Sequence, residues 1–217
     1  MEAVNVKIAE LLRRVLIEKG DSFSKLADER MPFDRPTPEE AIRSGQKIRL
    51  ASVALPVFRR EGTWCISLMK RTEYPGVHSG QVSIPGGEVE PQDGSRLETA
   101  IREFREEMGV ELQPDLLVAG LSDRYIPPSR FAVSTFIAVL QDEPNWRVDQ
   151  KEVAGVLTIP VNVLLEADAL QSTSIEFQPG VKASLPAYHW NGDVIWGATA
   201  IILTEFAMAW SEMEALQ

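Results

Sequence analysis

Residues 86–110, GGEVEPQDGSRLETAIREFREEMGV, join a glycine pair to a strongly patterned segment that has the clearest helical signal in the chain. Ser95 and Glu98 have the spacing of a capping box, which predicts that a helix begins there. Gly109 predicts where it ends, because glycine readily adopts the left-handed backbone found after the last helical turn. We therefore expect a helix over residues 95–108, entered through the turn that Gly86 and Gly87 allow.

Apolar and acidic residues divide this helix into two faces. Four apolar residues recur at helical spacing and form one narrow stripe facing the core: Leu97, Ile101, Phe104 and Met108. At about 100° per residue, Glu103 and Glu107 project within about 40° of each other beside that stripe, and Glu106 lies roughly 60° further round. The pair is expected at the boundary between core and solvent.

Carboxylates one helical turn apart repel each other, and partial burial strengthens the repulsion. A hard divalent cation with oxygen ligands removes this repulsion and also binds phosphate oxygens. Glu103, Glu106 and Glu107 are therefore candidate ligands for Mg²⁺ or Mn²⁺. The alternative is an ordinary solvated acidic face, which these three residues considered alone would favour.

The chain before this segment predicts a helical extension over residues 1–45. Residues 4–19 have the pattern of an amphipathic helix. A second helix is expected to start at Thr37, with Pro38 in its first turn and Glu40 closing a capping box, and to stop at Gly45.

The remainder, residues 46–217, alternates strands with helices and predicts one α+β domain. Strands are expected at residues 48–58, 64–70, 81–84, 116–121, 132–140, 155–159, 174–177 and 187–190, and helices at 161–166 and 198–216. Strands of mixed direction flanked by helices indicate a single α/β/α sandwich with a mixed β-sheet.

Bulk composition excludes several classes of protein. The 217 residues carry a net charge of −10, which argues against binding to a nucleic-acid backbone. Cys65 is the single cysteine, so no intramolecular disulfide can form, as is usual in a reducing compartment. The first ten residues are too charged for a secretory signal, and no apolar run is long enough to span a membrane. We expect a cytoplasmic protein without membrane contact.

The segment resembles the Nudix box, a Gly-Gly loop followed by Arg-Glu-x-x-Glu-Glu-x-Gly, here residues 102–109, REFREEMG. The spacing from Gly87 to Arg102 is one residue longer than in the commonest form and is similar to that of the coenzyme A pyrophosphatase branch. Residues 68–72 (LMKRT), 78–87 (HSGQVSIPGG) and 194–200 (VIWGATA) also look like that branch. Many members of the family place an acidic residue within this loop. Counting forward from Gly87 puts that position at Asp93, whereas counting back from Arg102 puts it at Gly94.

This resemblance implies the fold of a Nudix hydrolase and a metal-dependent cleavage of a diphosphate, with coenzyme A or its derivatives as substrate. It also implies a small-molecule nucleotide partner and a homodimer. A further implied group is the substrate-binding set: Lys70, Arg71, His78, Gln81, Gly86 and Gly87. The other implied substrates are dinucleotides, ADP-ribose and nucleotide sugars, and the non-catalytic alternative is a nucleotide-binding module.

Several residues keep two interpretations at this point. Arg102 either orients a glutamate of the box or forms an ordinary surface ion pair with Glu106. The base that activates water is Glu103, Glu106 or the distant Glu152, and Glu152 is equally consistent with a surface residue at a strand start. The alternative for Lys70 and Arg71 is a pair of solvated charges at a strand end. For His78 it is a structural hydrogen bond.

Overall fold

The computed structural model describes residues 2–31, 35–76, 78–118, 120–178 and 180–216. Its elements in chain order are α1 (Glu2–Arg30), α2 (Pro38–Arg43), β1 (Arg49–Arg60), β2 (Thr63–Arg71), β3 (Val82–Ser83), β4 (Gly86–Glu88), α3 (Arg96–Met108), a 3-10 turn (Pro114–Leu116), β5 (Leu117–Val118), β6 (Arg124–Ile126), β7 (Phe131–Val139), β8 (Val153–Pro160), α4 (Val161–Leu165), β9 (Gln171–Gln178), β10 (Val181–Trp190), β11 (Asp193–Ile195) and α5 (Gly197–Glu214).

A mixed sheet forms the centre of the molecule. β1 runs parallel to β7 over most of its length, with Leu55 opposite Ile137, and antiparallel to β2. β2 pairs on its other side with β8, and the short strands β3 and β4 continue the sheet beside β2 and β1. β5 and β6 complete it beyond β7, while β9, β10 and β11 form a separate antiparallel sheet. The predicted mixed sheet is confirmed.

Helices cover both faces of the central sheet, because successive strand residues point to opposite sides. Leu55 packs with α1, α4 and α5 in one apolar cluster. Its neighbour Ala54 packs with Phe104 and Met108 of α3 in a second cluster. This confirms the predicted α/β/α sandwich. It also places α3 on the face opposite the other long helices, and that face is where the acidic side chains must lie.

α1 is much longer than the predicted helix over residues 4–19. Its apolar stripe continues through Phe23 and Ala27, which are buried in the same cluster as Leu12 and Val15. Because this packing against α5 stabilises the second half of the helix, the chain stays helical past Gly20. α2 has the predicted capping box between Thr37 and Glu40 but ends at Arg43, slightly before the expected stop.

Three shorter strands were absent from the sequence prediction, namely β4, β6 and β11. Each has only three residues, too few for a periodic pattern to stand out, and each forms by pairing with a longer strand. The predicted strands at 174–177 and 187–190 lengthen into a hairpin, β9–β10, whose polar exposed residues hide the alternation. The predicted strand at 116–121 shrinks to β5, after the 3-10 turn; residue 119 lies outside the described residues.

A buried ion pair ties the helical layer to the sheet. The guanidinium of Arg124 on β6 donates to Glu205 on α5 and to Asp28 on α1, both at 2.6 Å. Glu205 is wholly buried and also accepts the backbone N–H of Ser122 at 2.8 Å. A buried carboxylate needs such partners because desolvation strongly disfavours its charge.

Within the described ranges, the helices lack the length and apolar character that crossing a membrane would require.

Candidate active site

The helix α3 is built at both ends by local sequence. Ser95 accepts the backbone N–H of Glu98 at 3.2 Å, as the capping signal predicts. The prediction of a full capping box is wrong. The Glu98 carboxylate accepts the backbone N–H of Gly94, at 3.0 Å, instead of the backbone N–H of Ser95. Gly109 ends the helix with φ of 68°, and its N–H donates to the carbonyl of Arg105. The caps thus fix where the acidic residues project.

Glu103, Glu106 and Glu107 differ in how deeply their side chains are buried. The side chain of Glu107 is 4% exposed, that of Glu103 16% and that of Glu106 53%. This order follows their angular distance from the apolar stripe, although Glu107 is buried more deeply than a boundary position suggests. α3 therefore carries one carboxylate in the protein interior, one partly covered and one in solvent.

Glu103 and Glu107 converge on the backbone of the glycine pair. Glu107 Oε2 accepts the N–H of Gly86 at 2.7 Å. A Cβ atom on Gly87 would collide with the Glu103 carboxylate, so a side chain at residue 87 would push that carboxylate away. The strand β4 holds the pair in place by pairing with β1, with Gly87 opposite Ser52. The Gly-Gly turn therefore has a second role, as a cradle for two carboxylates.

Burial dominates the electrostatics of this glycine cradle. Burial raises the pKa of Glu107 to about 8. The backbone N–H of Gly86 and the nearby Arg71 lower this pKa, whereas the charges of Glu103 and Glu152 raise it further. Burial also raises the pKa of Glu103, opposed by its bond to Arg102. The site therefore disfavours two uncompensated negative charges, and a positive ligand would relieve it.

Arg102 is anchored by a residue that the sequence analysis did not assign. Its Nε and Nη2 donate to the two carboxylate oxygens of Asp93 at 2.9 and 2.8 Å. Asp93 also accepts the N–H of Glu90 and the hydroxyl of Thr99, both at 2.9 Å. The Arg102 guanidinium holds the pKa of Asp93 well below its usual range. The signal for this pairing was the longer loop, which puts an aspartate nine residues before the arginine.

The rest of the Arg102 guanidinium faces the glutamates. Nη1 donates to Glu103 at 2.8 Å and to Glu106 at 3.2 Å, and Nη2 donates to the carbonyl of Glu88 at 3.1 Å. With a side chain only 14% exposed, Arg102 is not an ordinary surface partner of Glu106. Its hydrogen bond to Glu103 is the contact that the first of the two interpretations requires.

The donor set fits a hard divalent cation. Glu103 and Glu107 present carboxylate oxygens at the glycine cradle, and such oxygens are the ligands that Mg²⁺ and Mn²⁺ prefer. In the part of the chain that the structure describes, no three His, Cys, Asp or Glu side chains stand ready to bind one ion together. Arg102 is hydrogen-bonded to Glu103 and Glu106, while Glu107 accepts the N–H of Gly86.

The side chains of Lys70 and Arg71, which are adjacent at the end of β2, contact different parts of the molecule. Arg71 approaches Glu107, with 3.8 Å between Nη1 and Oε1, and its buried Nε has no hydrogen-bond acceptor among the described residues. Lys70 is bound to Asp193 of β11 at 2.7 Å, and β11 packs on the helical side opposite α3. The structure brings Arg71 to the carboxylates but turns Lys70 away from them.

The loop between β2 and β3 carries His78 and Gln81. Nδ1 of His78 lies 3.1 Å from Oε1 of Gln81, and the carbonyl of His78 accepts the N–H of Gln81 at 3.3 Å. His78 has φ of 68°, a left-handed conformation that this bonding holds. The structural hydrogen bond expected as the alternative role of His78 is present.

Glu152 comes to the site through the pairing of strands, although it lies far from α3 in the sequence. Its carbonyl accepts the N–H of Thr72 at 3.0 Å, just past the end of β2. Its carboxylate is close enough to raise the pKa of both Glu103 and Glu107. Glu152 is therefore an exposed residue that still contributes charge at the glycine cradle.

Comparison with known proteins decides the family. The sequence matches the NUDIX domain model over residues 48–178, more than half of the chain. It is 31% identical over 158 residues to a protein of Yersinia enterocolitica named "Uncharacterized Nudix hydrolase NudL", covering 72% of this chain and 79% of that one. The chain belongs to the Nudix family. A protein of the same name from an Enterobacter species is 28% identical over 161 residues, 74% of this chain and 82% of the relative.

The Nudix fold is also seen in a solved structure, that of a MutT/nudix family protein from Enterococcus faecalis. The two superpose with a TM-score of 0.53 at 17% identity, covering 75% of this chain and 62% of that chain, which is less than two thirds of its length. This likeness supports the fold alone. As a Nudix hydrolase, the protein is a pyrophosphatase. Nudix enzymes act on small-molecule nucleotide substrates and generally use divalent metals such as Mg²⁺ or Mn²⁺.

Proposed function

We propose that this Nudix hydrolase cleaves the diphosphate of coenzyme A or its derivatives, giving 3′,5′-ADP and 4′-phosphopantetheine. The observation that carries the catalytic part is the pair of carboxylates, Glu103 and Glu107, that meet at the Gly86–Gly87 backbone with Glu107 almost wholly buried. The choice of substrate is supported by the likeness of residues 68–72, 78–87 and 194–200 to the coenzyme A pyrophosphatase branch.

In this proposal Glu103 and Glu107 are the main ligands of Mg²⁺ or Mn²⁺, and Glu106 assists them. The bound ion would neutralise the diphosphate and activate the attacking water. Arg102 keeps Glu103 oriented, and Asp93 keeps Arg102 in place. Without such anchoring Glu103 would sample many rotamers, and the geometry needed for reaction would be rarer.

Substrate phosphate is bound chiefly by Arg71 in this proposal. Its guanidinium lies beside Glu107 with the Nε hydrogen unused by the described residues, and guanidinium matches phosphate oxygens in a planar, two-pronged geometry. The Gly86–Gly87 backbone lets the diphosphate approach closely. His78 and Gln81 shape the neighbouring loop, and Lys70 would contact substrate only after leaving Asp193.

A base is also required for the attacking water, and three carboxylates remain candidates. Glu103 and Glu106 belong to the box, and Glu152 approaches it from the start of β8. Arg102 is hydrogen-bonded to one carboxylate oxygen of Glu103 and one of Glu106, which leaves the second oxygen of each to accept a proton. Replacing each candidate by glutamine and comparing the pH dependence of kcat identifies the base, since its loss removes the acidic limb of the profile.

The substrate proposal is tested by a panel with and without Mg²⁺ or Mn²⁺. Coenzyme A is compared with ADP-ribose and with diadenosine polyphosphates, and products are resolved by chromatography. We expect metal-dependent turnover with the highest kcat/KM for coenzyme A and release of 3′,5′-ADP. A higher kcat/KM for ADP-ribose or a dinucleotide would assign the enzyme to another Nudix activity. Binding of all three without turnover would leave only a nucleotide-binding module.

The role of Glu107 is tested by Glu107→Gln. Loss of its charge is expected to lower kcat at least about 10²-fold, the scale of lost electrostatic stabilisation of a transition state, while the fold survives. The matched control is Glu111→Gln, because Glu111 is exposed and lies just beyond α3. Circular dichroism checks folding. Near-native turnover of Glu107→Gln would refute the assignment of the metal site.

Three further features belong to the proposal. The protein acts in the cytoplasm as a homodimer, a state that sedimentation measures directly. It binds no nucleic acid, as its net charge of −10 favours. Residues 1–45 form an extension and residues 46–217 the Nudix domain, although α1 shares an apolar cluster with α5.

A further inference from the structure

An open cavity of about 590 Å³ lies against the loop that follows β2. Its lining comes from five residues: Glu73, Tyr74, Pro75, Ser79 and Gly80. None of these has a part in the proposed chemistry at the glycine cradle. The volume is in the range of about 300–1,000 Å³ that small-molecule sites occupy.

Arg71 connects this cavity to the carboxylates. Its guanidinium carbon lies 5.9 Å from the centre of the Tyr74 ring, and its Nη1 lies 3.8 Å from Glu107. One guanidinium therefore faces the aromatic ring on one side and the buried glutamate on the other. A nucleotide whose phosphates meet Arg71 would extend its next group toward Tyr74.

The Tyr74 ring is held by its own loop. The backbone N–H of Tyr74 donates to the hydroxyl of Ser79 at 2.9 Å, which closes the loop beneath the cavity. A Cβ on Gly76 would lie 2.7 Å from Cε2 of the ring, so bare backbone packs against it there. The residue is still 38% exposed, and it therefore offers a fixed aromatic surface to a ligand.

Charge in the cavity opposes phosphate and favours a neutral group that donates hydrogen bonds. Glu73 contributes a carboxylate, an acceptor of N–H groups, to the same lining as the Tyr74 ring. Adenine matches this pair, because it has a flat π-face and an exocyclic amino group that donates hydrogen bonds. We propose that Tyr74 and Glu73 form the base subsite, with adenine stacked on Tyr74 and its amino group donating to Glu73. This inference rests on the proposed nucleotide hydrolysis at the adjacent glycine cradle.

The stacking is tested by calorimetric titration of ADP and of inorganic pyrophosphate, with Mg²⁺ present. Tyr74→Leu keeps an apolar side chain but removes the ring, whereas Tyr74→Phe keeps the ring and removes only the hydroxyl. We expect ADP to bind about tenfold or more weakly to Tyr74→Leu, the scale of base–aromatic stacking, and near-normally to Tyr74→Phe. Pyrophosphate affinity should stay the same in all three proteins, because it has no base.

The hydrogen bond is tested by comparing ADP with inosine diphosphate, which has a carbonyl in place of the amino group. The wild-type protein should prefer ADP about fivefold or more, and Glu73→Gln, which can donate to that carbonyl, should narrow the preference. Equal affinity of the wild-type protein for both nucleotides would overturn the role of Glu73.

Failure of the stacking has its own signature. Equal ADP affinity in wild-type protein and Tyr74→Leu, no ADP binding to wild-type protein, or an equal loss of pyrophosphate binding would each overturn the role of Tyr74. Failure of the coenzyme A proposal looks different. In that case coenzyme A is not hydrolysed, while ADP affinity still depends on the ring at residue 74.

Discussion

Replacing Asp93 by asparagine is expected to destabilise the protein through Arg102. The substitution keeps the size of the side chain and one oxygen acceptor but removes the charge from a pair with two short hydrogen bonds. Both side chains are largely buried, with Asp93 4% exposed and Arg102 14% exposed. Asp93→Asn would therefore leave a buried guanidinium with less compensation than it has now.

The magnitude follows from this burial. Removing one partner of a buried ion pair costs about 3–5 kcal/mol. Arg102 retains its bonds to Glu103 and Glu106, so we expect a smaller loss, about 2 kcal/mol at pH 7. In a protein of this length that corresponds to a fall in Tm of about 4–8 °C.

The loss is also expected to depend on pH. Arg102 lowers the pKa of Asp93 below its unfolded value of about 3.9, so the pair stabilises the fold fully above that unfolded value. Its contribution disappears as the pH falls through the lowered pKa. The difference in unfolding free energy between wild-type protein and Asp93→Asn should therefore be constant from about pH 7 to about pH 5 and shrink below about pH 4.

Urea unfolding with EDTA present measures these differences without a contribution from metal. The matched control is Glu106→Gln, which removes the exposed partner of the same Arg102 and should cost less than about 1 kcal/mol. A loss in Asp93→Asn no larger than in this control, or one that grows as the solution is acidified, would refute the reasoning.

The remaining predictions concern the fold. Gly109→Ala combines a φ of 68° with a Cβ that would collide with the carbonyl oxygen of Arg147, and should cost more than about 2 kcal/mol in urea unfolding. Gly62→Ala has a similar φ but open space around its Cβ, so a loss of about 1 kcal/mol or slightly more is expected, and equal losses would contradict the clash. Glu205→Gln should cost about 3 kcal/mol by the same measurement, because a buried guanidinium loses its partner. Its control, Asp28→Asn, changes an exposed partner of the same arginine and should cost under about 1 kcal/mol.

Local sequence determined α3 and the order in which its glutamates are buried. Caps at Ser95 and Gly109 and an apolar stripe act over one or two helical turns, and such short-range signals can be read directly. The placement of Glu107 beside the core follows from the same periodicity. The box and its Gly-Gly loop also predicted the family, since they lie within one contiguous segment.

Tertiary structure alone decided how distant residues meet this helix. Lys70 and Arg71 are neighbours in sequence, yet contacts with β11 and α3 send them in different directions. Glu152 reaches the glycine cradle because β8 pairs with β2, and α1 continues past Gly20 because it packs on α5. These outcomes depend on contacts between segments far apart in the chain, whose energies no local pattern records. Short-range patterns therefore determine which groups α3 presents, and packing determines which partners those groups find.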